Sequence, residues 1–151
     1  MKTLIVGQSH FQKELRQLLA ESDYSFDSIQ AAFSAEAVFL LIRSEKPDIV
    51  FIHTMLYRVN FVEILKGIKR IDPDIEVILC GNLPTSAQAI SALNSDACYF
   101  LIEPFDRRNF SASIRKALAS ISRHASAQEN CTLSHSPKFS TKANLKSAID
   151  A

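Results

Sequence analysis

Five short apolar runs recur along this 151-residue chain, and an amphipathic stretch follows each of them. The runs are TLIV at 3–6, FDSIQA at 26–31, DIVFI at 48–52, EVILC at 76–80 and CYFLI at 98–102. Runs this short suit strands, whereas the stretches between them repeat apolar residues at helical spacing. Phe11, Leu15, Leu18 and Leu19 form one such stripe, and Phe61, Ile64, Leu65, Ile68 and Ile71 another. Ala87, Ile90 and Leu93 make a smaller stripe after Pro84, a residue that fits a first helical turn; Phe110, Ile114, Leu118 and Ile121 make the last. Ser34 can cap AEAVFLLIRSE, which must stop before Pro47, and Asp72 with Pro73 should end the third helix. Strands alternating with helices over short connections require parallel strands, right-handed crossovers and helices on both faces of one sheet. The sequence therefore predicts a doubly wound α/β domain over residues 1–121. DIVFI is apolar throughout and suits a strand buried on both faces, while the more polar FDSIQA belongs at an edge.

Beyond Ile121 the pattern fades. Residues 122–151 contain six serines and Pro137 and show little apolar periodicity, which predicts a low-complexity, mostly disordered tail. Residues 141–149 could form a short helix on a partner, although Leu145 and Ile149 make too thin a stripe for an independent domain.

Composition narrows the function classes. Hydrophobic residues at 47% and charged residues at 22% fit a globular protein, and no apolar run approaches the roughly 20 residues of a membrane span. The start, MKTLIVGQSH, turns polar too soon for a secretory signal, so a cytoplasmic location is expected. Cys80, Cys98 and Cys131 are odd in number and lack C-x-x-C spacing, as expected of thiols in a reducing compartment. With a net charge of +1 and no dense basic face, direct nucleic-acid binding is not expected.

In open α/β sheets the site lies beyond the carboxyl ends of the strands. Those ends carry Gly7, Gln8 and Ser9, then His53, then Cys80 and Gly81, then Glu103. Here, through LIV followed by a polar pair, KPDIVFI before position 53, MLYRVNF after it, PDIEVILC and YFLIEPF, the chain resembles the receiver domain of bacterial two-component response regulators. The resemblance implies a flavodoxin-like fold with strand order 2-1-3-4-5 and five helices. It also implies an acidic pair holding Mg²⁺, an aspartate that accepts a phosphoryl group, a Ser or Thr that binds it, and a lysine before a proline. Matched by motif, the acidic pair falls on Gly7 and Gln8, the acceptor on His53, the hydroxyl on Cys80 and the lysine on Glu103. Tyr57 and Phe61 replace a proline and a glycine, whereas Met55, Asn60, Pro104 and Phe105 fit, and Phe100 matches the family's aromatic switch position.

These departures have separable consequences. Mg²⁺ takes oxygen ligands, carboxylates above all, so its binding is expected to be lost. Phosphoryl transfer depends on cations that neutralise developing charge, and Glu103 supplies the opposite sign. The expected reading is a degenerate pseudo-receiver, not an enzyme, that signals through protein contacts without phosphorylation and in which His53 and Glu103 interact directly or through water. Alternatives are a receiver phosphorylated on unusual residues, a His/Cys metal site, or a thiol nucleophile at Cys80 with His53 as base. By resemblance, a signalling partner or a second copy would meet the face formed by the fourth helix, fifth strand and fifth helix.

Overall fold

Strand β1 (Lys2–Val6) buries Leu4 and Val6 in one apolar layer and Ile5 in another. The same alternation runs through β3 (Ile49–His53) and β4 (Glu76–Gly81). Val50, Ile52, Val77 and Leu79 join the layer of Leu4, whereas Ile49, Phe51, Ile78 and Cys80 join that of Ile5. Successive strand side chains point to opposite faces, so strands that are apolar on both faces need a cover on both. Helices α2 (Ala35–Glu45) and α3 (Phe61–Ile71) supply one cover through Val38, Ile42, Leu65 and Ile68. Helices α1 (Ser9–Glu21) and α4 (Arg107–His135) supply the other through Phe11, Leu15, Leu19, Phe110 and Ile114.

The structure is a computed structural model that describes residues 1–56, 60–82, 87, 90 and 99–135, with side chains as far as residue 123. Its sheet has five parallel strands in the order β2-β1-β3-β4-β5, with β2 (Ser28–Ala32) and β5 (Tyr99–Ile102) at the edges. This is the flavodoxin-like, doubly wound fold that the alternation predicts, and the polar strand does lie at an edge. Four helices are described. The helix expected over residues 84–93 falls outside the described residues except for Ala87 and Ile90, both of them helical.

Local signals set the helix ends. Ser34 Oγ accepts the Ala37 N–H at 3.2 Å, satisfying one of the free donors of the first turn of α2. That helix stops at Lys46, a left-handed residue with φ of 50° whose N–H donates to Ile42 O, directly before Pro47. Asn60 Oδ1 accepts the Val62 N–H at 2.9 Å and starts α3. The last helix differs from the reading of the sequence. The apolar stripe ends at Ile121, but the backbone stays helical to His135, where a disordered tail is expected to have begun. Helical hydrogen bonds are local and require no apolar face, and Ala125, Ala127, Gln128 and Glu129 are all good helix formers. The described chain divides into a compact unit, Met1–Ile121, and a second beginning at Ser122; residues 136–151, including the short helix envisaged at 141–149, lie outside the described residues.

One buried polar atom breaks the pattern of β1: Thr3 Oγ1 has no hydrogen-bond partner among the described residues, although Thr3 is 1% exposed. A buried hydroxyl without a partner forfeits its hydration, and valine has nearly the same shape. Thr3→Val is accordingly predicted to raise unfolding stability by about 1 kcal/mol in urea titrations.

Candidate functional site

Strand parity brings the candidate residues together. Gly7 lies two positions past Ile5, His53 two past Phe51, and Glu103 two past Leu101, all on the face covered by α1 and α4. Cys80 is the register partner of His53 across β3 and β4. The ladder continues past the strands, with Thr54 N–H donating to Cys80 O and Glu103 N–H to Gly81 O, both at 2.9 Å. Glu103 is thereby carried up to His53, and Nε2 of the imidazole lies 3.0 Å from Glu103 Oε1. His53 Nδ1 accepts the Met55 N–H at 3.1 Å, which leaves the ring proton on Nε2 for donation to the carboxylate. The side chains of this pair are 17% and 37% exposed, so water still reaches it.

Phe11 completes the arrangement. A Cβ atom placed on Gly7 would lie 2.4 Å from Phe11 Cδ2 and 3.3 Å from His53 Cβ, closer than van der Waals contact allows. The Phe11 ring meets the His53 imidazole edge-on at 4.7 Å between centroids and Phe105 at 5.9 Å. The sequence places Phe11 only in the apolar stripe of α1. The signal overlooked is its spacing: the residue four after a side-chain-free strand end lies one helical turn along α1 and can lean back over that gap. Gln8 takes another direction, lining an open hollow of about 380 Å³ with Ser9, His10 and Phe33.

Cys80 is fully buried, and its S–H donates to Ile78 O at 3.7 Å. Burial pushes its thiol well above the ordinary value, and the negative charge of Glu103 adds to the effect. A thiol held protonated makes a poor nucleophile and a poor metal ligand. Among the described residues, no three His, Cys, Asp or Glu side chains form a metal-binding group. Gly81 adopts φ of 143°, and a Cβ there would lie 2.4 Å from Thr54 Oγ1, so the turn after β4 needs glycine on both counts. Phe100 is half-buried against the α2/α3 layer and lines, with Tyr99, Ile102, Asn109 and Lys116, a groove of about 420 Å³ between β5 and α4. Tyr57 lies outside the described residues.

A five-stranded 2-1-3-4-5 sheet with its polar cluster at the ends of β1, β3 and β5 admits many chemistries, and comparison with known proteins decides the family. The sequence profile described as "Response regulator receiver domain" matches residues 4–115. The chain belongs to the response regulator receiver family. It is 29% identical to the chemotaxis protein CheY of Thermotoga maritima, over 69% of this chain and 86% of that protein. It is also 28% identical to the transcriptional regulatory protein ZraR of Escherichia coli K12, over 61% of this chain but only 21% of ZraR. Among solved structures, NtrX from Brucella abortus superposes with a TM-score of 0.71 at 22% identity, covering 85% of this chain and 30% of NtrX. A two-component response regulator from Clostridium difficile gives 0.68 at 22% identity, covering 79% and 96%. At these identities the structural likeness bears on the receiver fold alone.

Two outcomes follow from the packing in this receiver. Gly7→Ala should cost about 1–3 kcal/mol by overpacking, and Gly7→Ala with Phe11→Ala should lose less than the sum of the single losses, as measured by a denaturation double-mutant cycle. Cys80 should escape iodoacetamide at neutral pH in the folded protein and be alkylated only in denaturant, as read by mass mapping of its peptide.

Proposed function

We propose that this receiver is a protein-interaction module that works without phosphoryl transfer and without Mg²⁺. As a member of its family it belongs to two-component signalling; the proposal concerns how it signals. The observation that carries the reading is the Phe11 ring beside Gly7. An acidic side chain at position 7 would need the space that the ring fills, and the ring also packs on His53.

The donor set argues the same way. Mg²⁺ calls for carboxylate and carbonyl oxygens in near-octahedral array. Gly7 has no side chain, Gln8 lines a different hollow, His53 presents nitrogen, and Glu103 already accepts from His53. These residues do not fit the ion. An incoming phosphoryl group would meet the Glu103 carboxylate where a cation is needed, and Cys80 is buried as a thiol with its S–H turned to the backbone. No residue in the cluster takes the acceptor role that an aspartate holds elsewhere in the family.

What the fold retains is a surface. The groove between β5 and α4 exposes Ile102 (41%), and Lys116 Nζ stands 5.8 Å from the centre of the Tyr99 ring, whose hydroxyl donates to Lys116 O. An apolar residue ringed by polar groups suits a partner protein's side chain. Apart from Ala87 and Ile90, the helix expected over residues 84–93 lies outside the described residues, so the proposal names the β5 and α4 part of that face.

Incubation with acetyl phosphate and Mg²⁺ tests the reading. The intact mass is expected to stay unchanged, and His53→Asp alone should not restore phosphorylation. A phosphoryl adduct on the wild-type chain would overturn it.

A further inference from the structure

The outward side of α2 exposes a large apolar side chain, Leu40, between two charges. Phe33, just before the capping Ser34, and Leu40, seven positions on, are each 67% exposed. Leu40 stands on the outward side of α2, whereas Phe33 stands outside the helix, before its extended cap, and lines the hollow beside Gln8, Ser9 and His10. Two exposed charges accompany Leu40: Glu36, four residues before it, and Arg43, three after. At about 100° per residue both fall on the same flank of Leu40, Glu36 about 40° round and Arg43 about 60°, while Ala37 and Ser44 fall on the other. Glu36 and Arg43 are about 10 Å apart along the axis. That is too far for an ion pair within one helix, and neither has an ion-pair partner among the described residues.

We propose that this face binds a second copy of the chain, α2 against α2, antiparallel about a twofold axis beside Leu40. A twofold axis perpendicular to the helices reverses their direction but keeps each flank on its own side. Glu36 of each copy then meets Arg43 of the other, giving two identical ion pairs. Leu40 packs on Leu40 at the centre of the contact. An isologous contact requires a surface complementary to itself, and one acid and one base placed symmetrically about an apolar centre meet that requirement. Side-by-side parallel packing would instead oppose like charges. Since α2 joins the edge strand β2 to β3, the contact lies at the opposite edge of the sheet from the β5–α4 groove, which the dimer leaves open. A single helix pair makes a small interface, so the dimer is weak and concentration-dependent.

Sedimentation equilibrium on the full chain tests this, with circular dichroism to verify folding of each variant. The wild-type chain should show a monomer–dimer equilibrium, and Leu40→Asp should abolish it. Glu36→Arg and Arg43→Glu, each of which turns two attractive pairs repulsive, should each weaken the dimer by about tenfold. An equimolar mixture of those two variants should dimerise again, because both cross-pairs in the mixed dimer are of opposite sign. Three results would overturn the proposal: a wild-type chain monomeric up to millimolar concentration, a dimer indifferent to Leu40→Asp, or single variants that fail to associate when mixed. None of these readouts involves phosphorylation, so the failure of this inference and that of the proposed function are distinguishable.

Discussion

Two-sided burial of β1, β3 and β4 is the constraint on which everything else in this molecule rests. Each strand presents apolar side chains to both faces, so neither face can be left wet and helices must return over both. Parallel pairing then brings the three carboxyl ends to one edge, where the chain leaves the sheet. The parallel ladders align Val6 with Ile52 and Ile52 with Leu79, so the strand ends keep step. The positions of Gly7, His53 and Glu103 are therefore consequences of core packing, whatever chemistry the residues there can perform.

At that edge the molecule has settled an electrostatic problem locally. A lone carboxylate near an apolar layer would be costly, and Glu103 is served by the imidazole N–H of a histidine whose other nitrogen is tied to the backbone of Met55. The pair is partly solvated, and its contribution to stability is correspondingly small. Its larger effect is on neighbours, because the same carboxylate helps to keep the Cys80 thiol protonated within its apolar surroundings.

Much of this is legible in the sequence, for reasons that differ by element. TLIV, DIVFI and EVILC are apolar at nearly every position, and that pattern has few other uses, so the central strands and the class of fold follow directly. Ser34, Pro47 and Asp72 with Pro73 signal the ends of helices through local chemistry that acts within one turn. The run of α4 beyond Ile121 is not visible to a reading that looks for apolar stripes, since its backbone needs none. The site divides likewise. Its positions follow from strand ends, but the ring of Phe11 over Gly7 is a matter of rotamer and approach that periodicity does not encode.

The packing of Phe11 against Gly7 also couples the two positions to each other. Introducing an acid at position 7 alone would drive a side chain into a ring, and removing the ring alone would open a void against His53 and Phe105. Each single change is penalised until the other compensates. The glycine and the phenylalanine thus act as one unit, and a change at either position reaches His53 through the ring between them.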